Sequence, residues 1–326
     1  MAQAIRWGIL GLGNIARTFA TALQSVPDAE LVAVGSHAQE KADAFAEEFG
    51  APRRHASYEA LAVDADVDIV YVATPHPQHK ACSMLCLEAG KPVLCEKPLT
   101  VNAAEAEELV ACARGRGLFL MEAMWTRFFP LMGKVRELLA AGAIGEARML
   151  QADLGFRAEF DAASRLFSPL LAGGSLLDVG VYCVALSSMV FGEPSRATGL
   201  AHLAETGVDE QAAWVLQYDR GQLAICSCAM RTSTRHDAAI FGTEGSIRIH
   251  APFYRPRRMT VRTAGGEEEL EFPFEGNGME FEAAAVGECL RDGKLEHALM
   301  PLDESIAVMR TMDVLRAQWG VKYPME

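Results

Sequence analysis

The sequence predicts two domains: an α/β domain with a doubly wound parallel sheet over residues 1–123, and an α+β domain with a large, mostly antiparallel sheet over residues 124–326. Three observations lead there. Gly11-Leu12-Gly13-Asn14-Ile15-Ala16 is a G-x-G-x-x-A turn between an apolar run and a helical one. Short apolar runs and helical segments then alternate through the first third, and strands separated by helices pair in parallel. In the second half, β-forming runs are joined by links as short as "DRG", "GTEG" and "AGG", which permit antiparallel neighbours but no parallel crossover.

Taken in order, "IRWGILG" (5–11) is an apolar strand and "NIARTFATALQSV" (14–26) has helical periodicity. "LVAVGS" (31–36) is a second strand, and "AQEKADAFAEEFG" (38–50) is an amphipathic helix closed by Gly50. "DIVYVAT" (68–74), "PVLCE" (92–96) and "LFLME" (118–122) are further buried strands, with helices at about 76–89 and 102–116. A helix over about 131–142 and a strand near 147–156 open the second half. A loop then leads to "GGSLLDVGVYCVALSSMVFG" (173–192), a long apolar helix. Six β-rich runs follow, at 212–218, 223–230, 238–242, 246–250, 259–263 and 270–274. Two amphipathic helices close the chain, at about 279–291 and 302–318.

The 326 residues exceed the usual size of one domain, and 50% hydrophobic with 22% charged residues is enough to bury a sizeable core. A formal net charge of −13 gives no global attraction for nucleic acid or an anionic membrane. The eight cysteines form no C-x-x-C pair and most lie in apolar runs, as expected of buried thiols in a reducing compartment. The N-terminus enters a strand with no signal-peptide layout, and no run approaches the ~18 uninterrupted apolar residues of a membrane helix. A cytoplasmic protein acting on a small molecule is expected.

The glycine turn gives that molecule a partner. Gly11 permits the tight turn, Gly13 lets backbone approach a pyrophosphate, and Ala16 keeps the helix close to the sheet. The phosphates then sit on the free N–H groups of Asn14, Ile15 and their neighbours at the helix N-terminus. This is the dinucleotide site of a Rossmann domain. An acidic residue ending the second strand would bind the ribose hydroxyl of NAD. Here the strand ends Gly35-Ser36-His37-Ala38. Ser36 can donate to a phosphate, and His37 and Lys41 supply positive charge, so NADP is expected over NAD. Measured Michaelis constants for both cofactors decide it.

"CEKPL" (95–99) ends a predicted parallel strand on Glu96 and Lys97, at the edge where doubly wound sheets bind ligands. Pro98 biases Lys97 towards an extended backbone, and a cis Lys97–Pro98 bond is a further expectation. His76 and His79 form an H-x-x-H pair, but with no third ligand evident no metal is expected.

Together, the glycine turn, "ATPHPQH" (73–79), "EKPL" (96–99) and "GGSLLDVGVY" (173–182) resemble the Gfo/Idh/MocA oxidoreductase family. Within it, "HPQHK" (76–80), "VLCEKPL" (93–99), "LFLMEAMWTRFFP" (118–130), "LLDVGVYCV" (176–184) and "GMEFEAAAVGECLRDG" (278–293) are similar to dimeric dihydrodiol dehydrogenases and NADP-dependent D-xylose dehydrogenases. The resemblance implies a two-domain NADP-dependent oxidoreductase. The open face of its second sheet would cover the nicotinamide and form a homodimer contact. Thr74, Pro75, His76, Glu96 and Lys97 would lie at the cofactor. Lys97 and Tyr182 would act at the reacting oxygen, with Asp178 as their companion. The chain departs at Ser36-His37, where relatives often carry an arginine.

The residues suit that chemistry. Hydride transfer from a carbinol needs a group that takes the hydroxyl proton and another that stabilises the developing alkoxide. The Lys97 ammonium can stabilise the oxygen, and a cation favours the phenolate of a tyrosine whose ordinary pKa is ~10. Asp178 and Tyr182 stand four apart, on one helix face. Ser175-x-x-Asp178 also reads as a capping pattern, and closing the helix start is compatible with binding substrate there. Trp125 could wall a ring-shaped substrate or pack between domains, and Arg127 and Phe156 are further pocket candidates. A carbohydrate or cyclic diol is the expected substrate. Two other readings are a non-catalytic NADP-binding sensor, which has no need of both Lys97 and Tyr182, and a redox enzyme for a carbon–nitrogen or tetrapyrrole substrate, which the polar set suits less well.

Overall fold

A computed structural model describes residues 4–326. Strand β1 (Ile5–Leu10) carries Trp7, Ile9 and Leu10 into the core and stops at Gly11. Gly11 has φ +89°, and a Cβ there would lie 2.9 Å from Thr74 Cγ2, so only glycine fits the turn. Helix α1 (Asn14–Leu23) leaves it at once and buries Ala16, Phe19, Ala20 and Leu23. Next come β2 (Ala29–Gly35), α2 (Gln39–Phe49), β3 (Arg53–His55), α3 (Tyr58–Ala62) and β4 (Ile69–Val72). A 3₁₀ turn at His76–Gln78 runs into α4 (His79–Glu88), followed by β5 (Val93–Glu96), α5 (Ala103–Arg116) and β6 (Leu120–Ala123). β3 and α3 escape sequence reading because three and five residues show no periodicity.

The six strands are parallel, in the order β3-β2-β1-β4-β5-β6. The order reverses between β1 and β4, which opens a crevice at their carboxyl ends. The turn after β1, the residues after β4 and the end of β5 all reach that edge.

The remaining strands form a second sheet. After α6 (Pro130–Ala140) come β7 (Ala147–Gly155) and a loop, and a π turn at Leu176–Gly180 introduces α7 (Val181–Phe191). Seven strands follow: β8 (Arg196–Leu203), β9 (Asp209–Gln217), β10 (Leu223–Ala229), β11 (Ala238–Gly242), β12 (Ser246–Ile249), β13 (Arg258–Thr263) and β14 (Gly266–Glu271). Their order is β14-β13-β12-β11-β7-β10-β9-β8, antiparallel except for the β7–β10 pair. Trp214, Leu216, Cys226, Cys228 and Ile240 are buried on one face, whereas Ile225 and Phe241 on the other remain exposed. Strand β8 is missing from the sequence reading, since its buried positions alternate weakly.

The chain does not divide once. Residues up to Trp125 and Glu275–Ser305 form one compact unit; Thr126–Phe274 and Ile306–Glu326 form the other. Helix α8 (Met279–Arg291) packs on α1 and β2 of the first unit, although sequence reading places it with the second. An apolar helix face carries no label for the surface that will cover it. Helix α9 (Leu302–Trp319) ends the fold. The stretch Pro169–Phe191 is long and apolar enough to cross a membrane, but 83% of its most apolar window is buried inside the protein. It is a core helix.

Candidate active site

The structure gathers the sequence-predicted residues into one group in each unit. In the first, Gly13 is exposed with φ −86° and ψ −168°, no side chain caps α1, and no atom lies within 4 Å of where a Cβ would stand. Open space therefore faces the unsatisfied N–H groups at the start of α1, and a pyrophosphate fits there. Asn14 and Ile15 are exposed on the same turn. At the end of β2, Ser36 is buried and its hydroxyl oxygen accepts the Ala38 N–H at 3.3 Å. His37 is exposed and packs on Tyr58, with ring centroids 3.9 Å apart and planes tilted by 42°, and Lys41 is exposed one turn on. Beyond β4, Thr74 is buried against Gly11, Pro75 is exposed, and His76 is half-buried in the 3₁₀ turn.

Lys97 follows β5, whose four residues are all buried. The Lys97–Pro98 peptide is cis. Four backbone groups of the following turn meet fixed partners. The Lys97 N–H donates to Glu96 Oε2 at 3.2 Å, and the Leu99 N–H donates to Glu122 Oε1 at 3.0 Å. The Pro98 carbonyl lies 2.8 Å from His79 Nδ1, and the Cys95 thiol meets the Leu99 carbonyl at 3.7 Å. His79 Nε2 faces the Thr74 carbonyl, also at 2.8 Å. Both ring nitrogens are thus turned to backbone. Burial lowers His79 to a pKa of about 4 and outweighs the two carbonyls, which favour the charged form.

Glu96 is itself anchored from behind. The Tyr71 hydroxyl donates to its Oε1, and Tyr71 stacks on Phe19 at 3.8 Å. Burial raises the Glu96 carboxyl, opposed by the Tyr71 hydrogen bond and the charge of Lys97. Burial, with the charge of Glu96 added, pushes Tyr71 well above its ordinary value. Glu282 of α8 is fully buried, and neither oxygen has a hydrogen-bond partner among the described residues. Burial and then the Glu96 charge push its carboxyl well up.

In the second unit, the π turn carries Asp178 and leads into Tyr182. The Val181 N–H reaches the Leu176 carbonyl, five residues back. The capping pattern expected of Ser175 and Asp178 does not form: Ser175 is already helical and makes no cap. Asp209 of β9 takes that place. Its Oδ2 accepts the Ser175 hydroxyl at 2.8 Å and the Leu176 N–H at 2.7 Å. Burial raises Asp209 to a pKa of about 6 against both donors. Asp178 pairs with Arg165, Nη1 to Oδ1 at 2.7 Å. Tyr182 is 9% exposed, and its ring centroid lies 5.9 Å from that of Tyr254.

The three pocket candidates stand on different elements. Trp125 is half-buried in a 3₁₀ turn at Trp125–Phe128. Arg127 is buried and donates to the Ala185 carbonyl of α7 at 2.6 Å. Phe156 is half-buried just after β7, with its N–H on the Ala229 carbonyl at 3.0 Å. Sequence reasoning missed Tyr71, Glu122, Arg165 and Asp209. Glu122 carried a usable signal: like Glu96, it is a carboxylate at the end of an apolar strand.

Comparison with known proteins matches both units. Residues 5–124 match the Gfo/Idh/MocA oxidoreductase family, NAD-binding Rossmann fold, and residues 132–248 match the Gfo/Idh/MocA C-terminal domain. The mouse (Mus musculus) trans-1,2-dihydrobenzene-1,2-diol dehydrogenase is 41% identical over 338 aligned positions, covering 99% of each chain. The human (Homo sapiens) protein of the same name is 40% identical with the same coverage. Among solved structures, KijD10, a 3-ketoreductase from Actinomadura kijaniata in complex with NADP and TDP-benzene, superposes with a TM-score of 0.85 at 27% identity, over 97% of this chain and 98% of that one. The aldose-aldose oxidoreductase of Caulobacter crescentus, complexed with glycerol, superposes with a TM-score of 0.89 at 25% identity and the same coverage. With its glycine cradle, its anchored Lys97 and relatives matching from end to end, the chain belongs to the Gfo/Idh/MocA oxidoreductase family and is an NAD(P)-binding oxidoreductase.

Proposed function

We propose that the chain oxidises a carbinol of a vicinal diol or an aldose with NADP, or reduces the matching carbonyl. The anchoring of Lys97 carries this reading. Four separate side chains, Glu96, Glu122, His79 and Cys95, hold the turn in which it sits. A sensor that only binds the cofactor has no use for a lysine fixed in this way. Lys97 stabilises the negative charge that develops on the substrate oxygen. Tyr182 takes the hydroxyl proton as the C–H bond breaks, or returns it in reduction. Asp178 accepts a hydrogen bond from the substrate. The nicotinamide, when bound, supplies or accepts the hydride. Trp125 and Phe156 offer apolar surface to a ring, and Arg127 supports α7 from behind.

Ser36, His37 and Lys41 favour NADP: a 2′-phosphate meets a hydroxyl and two basic side chains, with no carboxylate at Gly35-Ser36-His37-Ala38 to repel it. The uncovered face of the eight-stranded sheet supports a homodimer. It exposes Ile225 and Phe241 together with Arg248, Arg262, Asp153 and Glu267, charges of both signs that can pair across a two-fold axis. All eight cysteines are free thiols, as suits a cytoplasmic protein.

A panel of D-xylose, other aldoses, inositols and trans-dihydrodiols, assayed by NADPH absorbance with each cofactor, tests the activity. Turnover of a diol or aldose with NADP is expected. No turnover on any member favours the sensor. Sedimentation of the purified chain tests the dimer, and a monomer at micromolar concentration removes it.

A further inference from the structure

We propose that Arg165 and Asp178 together form a donor–acceptor pair that reads the oxygen next to the reacting carbinol, so that the enzyme selects substrates with two adjacent oxygens. The inference rests on the roles given above to Asp178 and Tyr182, and names what their site recognises.

Between Leu176 and Leu186 every residue is apolar or small except Asp178 and Tyr182. The Asp178 side chain is 11% exposed, whereas that of Arg165 is 61% exposed, and the two meet at 2.7 Å. An ordinary surface ion pair has two exposed partners on flexible stems and contributes little. Here the loop backbone beneath the arginine is fixed. The Gly174 N–H donates to the Leu166 carbonyl at 2.9 Å, and the Phe167 N–H donates to the Ser164 carbonyl at 3.2 Å. Phe167 is fully buried and meets the Phe160 ring edge-on, 5.0 Å between centroids. Gly173 lies so close that a Cβ there would stand 2.5 Å from the Leu166 carbonyl oxygen and 2.9 Å from that of Arg165. The guanidinium is thereby held at the mouth of the π turn.

Its chemistry follows from its geometry. A guanidinium has five N–H donors in a planar fork and no acceptor, and Asp178 engages one of its nitrogens. A carboxylate accepts only. Set side by side, they match a hydroxyl, which can donate to Asp178 Oδ1 and accept from Arg165. A vicinal diol and an aldose both carry such a hydroxyl on the carbon beside the reacting one. The pair therefore accounts for one site taking a flat cyclic diol and a sugar, molecules that share little else.

The test uses Arg165→Gln and Arg165→Lys in the full chain, with D-xylose and trans-1,2-dihydrobenzene-1,2-diol as substrates. A charge-assisted hydrogen bond is worth about a ten- to hundred-fold change in affinity, so Arg165→Gln should raise KM for both by that factor, with kcat within about threefold. Arg165→Lys keeps the charge but loses the fork and should fall between. NADPH affinity by fluorescence and the melting temperature should stay near wild type. Unchanged KM values in Arg165→Gln, with or without a lowered melting temperature, overturn the proposal and leave Arg165 a structural latch. If Arg165→Gln does not fold, Arg165→Lys decides: wild-type KM values overturn the proposal. A wild-type enzyme inactive on both diols and aldoses overturns the proposed substrate class, and this inference with it.

Discussion

Asp209 Oδ2 accepts the Leu176 N–H at 2.7 Å, across 33 positions of sequence, and so caps the helix that carries Asp178 and Tyr182. The same oxygen accepts the Ser175 hydroxyl. Removing the carboxylate in Asp209→Ala leaves two buried donors unsatisfied, which should lower stability by about 2–4 kcal/mol. Chemical denaturation measures it, and a loss below about 0.5 kcal/mol contradicts the capping role.

Asp209 also sets a pH dependence. Its folded pKa of about 6 is raised from the ordinary 3.8, so the unfolded chain releases this proton first. The associated stability is fully present below about pH 4 and is lost as pH rises through about 6. Asp209→Asn keeps an acceptor and cannot ionise. The stability of the wild type should fall more steeply than that of Asp209→Asn between pH 4.5 and 7, as denaturation at both pH values will show.

Glu122 holds the lysine turn through the Leu99 N–H. Glu122→Gln preserves an acceptor of the same length and should stay close to wild type. Glu122→Ala should lower kcat about tenfold while leaving NADP affinity within about twofold, because one unmade buried hydrogen bond costs about 1–3 kcal/mol and loosens the turn that carries Lys97. Equal losses of kcat and cofactor affinity would point to a collapsed domain.

Lys97→Met and Tyr182→Phe test the chemistry directly. Each should reduce turnover by ~10²–10⁴ with NADP binding largely retained, the usual range for a lost acid/base or electrostatic group. Near-normal activity in Tyr182→Phe removes it from the proton-transfer role.

Glu282 bears on stability. It is fully buried without a hydrogen-bond partner among the described residues, and its raised pKa means that its contribution worsens as pH rises. Glu282→Met, similar in volume and apolar, should stabilise the protein by about 1–3 kcal/mol, and more at pH 8 than at pH 6. A lower melting temperature at both values would show that the carboxyl has a partner in solution.

Ser36→Asp places a carboxylate where a 2′-phosphate is proposed to sit. It should raise KM for NADP at least about tenfold and lower that for NAD, since like charges repel and a carboxylate suits the ribose hydroxyl. Unchanged constants for both cofactors would move the phosphate site elsewhere.

The elements were legible wherever the signal is local. Alternating apolar runs gave the six-strand parallel sheet except β3, the glycine turn marked the crevice, and "EKPL" marked the lysine. These follow from side-chain periodicity and from steric rules that act within a few residues. What the sequence left open was decided by partners far along the chain. Ser175-x-x-Asp178 looks like a cap, yet a residue on a distant strand outcompetes it and leaves Asp178 to Arg165. Glu96 and Lys97 are neighbours in sequence, but what fixes them is Tyr71, Glu122 and His79, brought together when parallel strands align their carboxyl ends. Helix α8 has the apolar face of any surface helix, and only packing assigns it to the first unit. Sequence by itself determined most of the elements and the glycine turn proposed to hold the dinucleotide; tertiary structure decided which buried polar group satisfies which, because a buried hydrogen bond is specific to its partner while hydrophobic burial is not.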